Sequence, residues 1–189
     1  MPSIAELCDD LVTAYEAKGQ AVSQNLKPGI SESEYARAIG FDIQEIPPAA
    51  LKLYQWRNGC VDEEAEALFL FRDNCFISAD RGKEELNQIR NFYGADDEDR
   101  FDLHRVIPIA AFEGSVFAVV TGQHNFGPEF EHPVVSIFEG IDLFFSSIEA
   151  MVQTCTAWVA HPNWDPYDAL PNDTELEIWK RLNPGVELG

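Results

Sequence analysis

Three sets of side chains in this sequence have residue types that could do chemistry. In QHNFGPEFEHP, residues 123–133, His124, Glu129, Glu131 and His132 crowd one stretch. Imidazoles and carboxylates are the donors that hold zinc, but a site needs ligands preset by rigid spacing, as on one helix face. Here the histidines are separated across a Gly-Pro turn, so the stretch reads as a solvated connection and no metal is expected. The second set is carboxylates: Asp62, Glu63, Glu64 and Glu66 in one run, and Asp96, Asp97, Glu98 and Asp99 in another. Glycoside hydrolysis uses two such groups, one with a raised pKa in a cleft and one ionised. Acids in wet loops all stay ionised. These runs therefore read as solvated faces first, as surfaces for a partner second, and as a carboxylate hydrolase only remotely. The third set is Cys8, Cys60, Cys75 and Cys155, scattered with no C-x-x-C pair. Cys155 falls on an apolar helix stripe and reads as a buried, inert thiol. Cys60 follows Asn58-Gly59, where solvent is expected to reach it, but no histidine lies near it in sequence. There is no G-x-S-x-G, P-loop or G-x-G-x-x-G, so neither an enzyme nor a cofactor is expected.

The elements that carry these residues are marked by caps and periodicity. Ser3 with Glu6 and Ser31 with Glu34 form capping boxes opening two helices, with Gly19 and Gly40 as their stops. PPAALKLYQWRNG, residues 47–59, reads as a third helix: Pro47 and Pro48 suit a first turn, and Asn58-Gly59 suits a left-handed stop. Trp56 reads as a core or half-core side chain, not a ligand platform, and Arg57 as the partner of an acid at the helix end. Residues 68–71 and 75–77 read as short strands about a turn at 72–74, and 80–93 as a helix weakened by Gly82.

From residue 105 the period becomes strand-like. RVIPIAAF and SVFAVVT flank Glu113-Gly114, and PVVSIF and IDLFF flank Glu139-Gly140, each a hairpin signal. Pro108 implies an edge strand or a bulge. Ser146 and Glu149 then cap a helix whose stripe is Ile148, Met151, Val152, Cys155, Trp158 and Val159. A short helix is expected at 173–182. Helices, then strands, then a helix argue α+β, in one domain with its core at about 28–160, an added N-terminal helix over 1–27 and a C-terminal extension over 161–189.

The chain has 189 residues and is 46% hydrophobic, enough for one packed domain. Thirteen Lys and Arg against 33 Asp and Glu give a net charge of −20. Nucleic acids and anionic membranes repel such a surface, whereas a basic protein is drawn to it. With no signal-peptide pattern, no spanning apolar run and scattered thiols, a cytoplasmic location is expected.

Ile46, Pro47, Leu51, Leu53, Tyr54, Trp56, Asn58 and Gly59 form a pattern that resembles the opening signature of the SUKH superfamily, the family of Smi/Knr-type cell-wall regulators and many bacterial relatives. VIPIA, PVVSIF and SSIEAMV are similar to its later strands and closing helix. The likeness covers roughly residues 28 to 160. The turn at Glu113-Gly114 is shorter than the family's, and 121–133 is longer. The resemblance implies a central, mostly antiparallel sheet with packed helices and no shared catalytic residues. It also implies a binding protein, most often an immunity protein that neutralises a toxin such as a nuclease; the alternative is a scaffold or regulator of an endogenous partner. The acidic runs at 62–66 and 96–99 are the expected contact surface, with Phe126 or Phe130 as an exposed aromatic anchor among acids.

Overall fold

The structure is a computed structural model that describes residues 2–63, 66–93, 105–138, 140–164 and 172–187. Its helices are α1 (Ile4–Ala17), α2 (Glu32–Ile39), α3 (Pro48–Trp56), α4 (Ala79–Tyr93), α5 (Ile148–Val159) and α6 (Asn172–Leu182). Its strands are β1 (Leu26–Pro28), β2 (Arg57–Cys60), β3 (Phe69–Phe71), β4 (Asn74–Phe76), β5 (Val106–Phe112), β6 (Ser115–Val120), β7 (Val134–Ile137) and β8 (Ile141–Phe145). The fold is mixed α+β, as expected. β3 to β8 form one antiparallel meander in chain order, and β1 and β2 form a separate ribbon.

The six-stranded sheet is curled, with side chains of its two edge strands touching across its concave face. The rings of Phe71 on β3 and Phe145 on β8 lie 5.2 Å apart, and the Trp158 ring of α5 lies 5.6 Å from that of Phe71. An edge strand offers unpaired backbone groups to other chains. Here those groups have internal partners. The Phe69 carbonyl accepts from Tyr15 Oη and Cys155 Sγ, both at 3.2 Å, and the Phe144 carbonyl accepts from Trp179 Nε1 at 2.9 Å. Helices α1, α5 and α6 thus seal the curl.

Both expected capping boxes form, at Ser3/Glu6 and Ser31/Glu34. The cap of α5 is one residue later than expected. Ser147, in extended conformation, accepts from Ala150 N at 3.2 Å, while Ser146 is used through its backbone N–H, which donates to Asn183 Oδ1. Pro108 lies in an interior strand, and it is accommodated by a register shift between Pro108 and Ala110, the bulge alternative.

The stretch 47–59 departs from expectation at its end. Pro47 and Pro48 start α3 as expected, and Leu53 and Tyr54 are fully buried while Leu51 and Trp56 are half-buried. The helix stops at Trp56, however, and Arg57–Cys60 pairs with Leu26–Pro28. Ladder pairing satisfies those backbone groups better than a helix stop does. Asn58 instead caps the next helix, its Oδ1 accepting from Ala79 N at 2.9 Å. Gly59 has φ +76°, and a Cβ there would lie 2.3 Å from Ser78 N, so only glycine lets β2 approach the chain entering α4. Among the described residues Arg57 pairs with no acid, contrary to expectation. Its Nη1 donates to the Trp56 carbonyl at 2.9 Å, covering one of the open acceptors at the helix end.

Candidate interaction surface

The expected contact residues divide into three groups. Glu64, Asp96, Asp97, Glu98 and Asp99 lie outside the described residues. Asp62, Glu63 and Glu66 sit on a loop pinned by one buried side chain. Asn25 Nδ2 donates to the Asp62 carbonyl at 2.6 Å and to that of Glu66 at 3.3 Å, and Asn25 Oδ1 accepts from Asp62 N at 2.8 Å. This clamp holds the backbone at Asp62 and at Glu66 and leaves both side chains exposed. Glu63 is half-buried, with its carboxylate 3.8 Å from Arg81.

The third group, the expected aromatic anchors, requires correction. Phe130 is 6% exposed, and its ring lies beside Gly185. Phe126 is half-buried against the His124 ring, 5.7 Å away. Neither is an exposed anchor, because the 121–133 connection folds back over the core. Its histidines serve the loop itself. His124 Nδ1 accepts from Phe126 N at 3.4 Å, and His132 Nδ1 lies 3.2 Å from the Val120 carbonyl, which can only accept, so this nitrogen carries the proton. Among the described residues no three His, Cys, Asp or Glu converge as metal ligands.

All four cysteines are buried, including Cys60, which was expected within reach of solvent. The Cys60 thiol accepts from Leu68 N at 3.2 Å, tying β2 to the segment before β3. Burial pushes its pKa up to about 11, and those of Cys75 and Cys155 up to about 12; Cys8 is raised further still by the same cause. A thiol is a nucleophile only as the thiolate, so none of these is activated at neutral pH.

One carboxylate does shift upward. Glu85 on α4 is 6% exposed; burial raises its pKa, the Arg81 guanidinium opposes the rise, and Glu63 and Glu84 add to it. Arg81 is the centre of this group: Glu85 lies 2.5 Å from it, Glu84 3.4 Å and Glu63 3.8 Å. The arrangement joins the acidic loop to the first turns of α4. Its buried acid is held by a cation, as in a structural ion pair.

Sequence reasoning missed a second surface, at the other end of the sheet. Because strands run in chain order, the turns β3–β4, β5–β6 and β7–β8 all fall at one end. Phe112 is 42% exposed and Phe138 59%. Phe112 opposes Ser115, and the next rung pairs Val116 with Ile137, which precedes Phe138. A signal was present in the sequence: the tripeptide Phe-Glu-Gly occurs at both tips, 112–114 and 138–140. The turn reading used only its Glu-Gly half, and Glu113 (φ +42°) and Gly114 (φ +88°) do form that turn.

Charge is also unevenly distributed. No Lys or Arg occurs between Arg105 and Lys180, a span that includes β5 to β8 and α5. Asp73, Glu113 and Asp142 are exposed near the hairpin tips. Arg72, in the β3–β4 turn, is held by buried Glu175 of α6, Nη2 to Oε1 2.8 Å. No helix among the described residues is long and apolar enough to cross a membrane. No family model matches the chain, and no curated protein matches it.

Proposed function

We propose that this chain is a non-enzymatic, cytoplasmic protein-binding module of SUKH type, an immunity protein that neutralises a basic toxin domain, with a nuclease as the toxin class. The observation that carries the reading is the uncompensated acidic charge: −20 overall, with no cation between Arg105 and Lys180. A nuclease is basic because it binds a polyanion, and an acidic inhibitor competes for the same surface. The raised, buried thiols and the cation-held Glu85 support a binding role over a catalytic one. The clamped loop at Asp62 and Glu66 supports fast electrostatic encounter, because its charges project from a fixed backbone.

The test is co-expression with the product of the neighbouring gene. If that product is a basic toxin, growth arrest on its expression is relieved by this chain. Reversing Asp62 and Glu66 to Lys slows association and flattens its salt dependence, with about tenfold loss of association rate at low salt. A neighbour without toxicity, or arrest that this chain does not relieve, overturns the immunity reading in favour of a regulator with an endogenous partner.

A further inference from the structure

We infer that the basic partner docks on the hairpin-tip end of the sheet, with Phe112 and Phe138 as apolar anchors inside an acidic rim. This rests on the binding reading above and names its surface. Tight interfaces centre on a few large anchors, with charges at the margin. Phe126 and Phe130 do not supply them, since one is half-buried and the other buried. Phe112 and Phe138 close strands two apart in the sheet, which sets them about 10 Å from each other. That separation suits two side chains entering one recess on a partner.

The rim specifies the partner's charge. Asp73, Glu113 and Asp142 are exposed around the tips, and Asp173 begins α6 in the same turn as Glu175, which reaches Arg72. Arg72 thus spends its charge on a buried carboxylate and leaves the rim anionic. A second copy of this chain is a poor occupant, because it brings the same acids against these. The fitting occupant presents Lys or Arg around an apolar recess. The turns at 72–73 and 113–114 are only two residues long, so little ordering cost accompanies docking at those tips.

The division of labour is testable: the rim acids Glu113 and Asp142 steer the encounter, whereas the phenylalanines hold the complex. The probe is a synthetic peptide of alternating Lys and Leu, titrated into the isotope-labelled full chain and read by amide shifts. A Lys-Ser peptide of equal charge is the control. The expected result is a shift cluster on residues 112–115 and 137–142, with the Lys-Leu peptide at least tenfold tighter than Lys-Ser. Phe112→Ser with Phe138→Ser removes that preference, with a retained cooperative thermal melt as the check that the variant is folded. Glu113→Lys with Asp142→Lys abolishes binding of both peptides. Shifts centred on residues 61–67, equal affinity for the two peptides, or no binding by either would overturn the surface. The growth assay separates the two claims. If the chain relieves arrest and the double serine variant relieves it equally, the immunity reading stands and the docking surface is wrong.

Discussion

At Gly59 a single missing side chain decides whether two parts of the fold can touch. The residue combines φ +76° with backbone atoms 2.3 Å from where a Cβ would stand. Gly19 has a similar φ of +83° but open space around it. Gly59→Ala is therefore expected to cost about 3 kcal/mol or more, summing strain and overlap, whereas Gly19→Ala costs about 1 kcal/mol. Urea denaturation of both variants checks the difference, and equal losses would mean that φ alone matters. Glu85 makes a second residue-scale case. Its pKa lies above the ordinary 4.5, so its contribution to stability is present below that value and declines as pH rises through the folded pKa. The wild type should lose stability relative to Glu85→Gln as pH rises above 4.5, measured as the pH dependence of the denaturation midpoint. Glu6 and Glu34 act in the opposite sense. Hydrogen bonds within the capping boxes, from Ser3 and Ser31, lower both pKa values, so their contribution is present above 4.5 and lost as pH falls.

Elements were legible wherever a local signal sufficed. The capping boxes, the Glu113-Gly114 hairpin and the α5 stripe all depend on residues within one turn or one tip, and all form. What was not legible depends on partners distant in sequence. Asn58-Gly59 has the composition of a helix stop, but Leu26–Pro28 supplies a strand for it to pair with, and Ala79 supplies a donor for the asparagine. Phe130 looked exposed because its neighbours are polar; the chain end near Gly185, some 55 residues on, covers it. The α5 cap was misplaced by one because Ser146 and Ser147 are locally equivalent, and only the bond to Asn183 separates their roles. Accordingly Ser147→Ala should cost about 1 kcal/mol, and Ser146→Ala less than about 0.5 kcal/mol, since Ser146 acts through its backbone. Thermal melts of the two variants test the assignment, and a larger loss at Ser146 would reverse it.

Over the whole molecule, the sheet curls, and α1, α5 and α6 occupy one carbonyl on each edge strand, Phe69 on β3 and Phe144 on β8, which hinders strand addition there. Recognition must then come from side chains at the sheet ends and from the field. The candidate site was half legible: the acidity is plain from composition, but its anchors needed the strand register that sets the two Phe-Glu-Gly tips side by side. The direct measurement of the central claim is a titration of the purified chain with the neighbouring gene's product at 50 and at 200 mM salt. The account predicts a one-to-one complex whose affinity falls at least tenfold across that range, because charges of opposite sign attract through a screened field. No complex, or an affinity indifferent to salt, would contradict it.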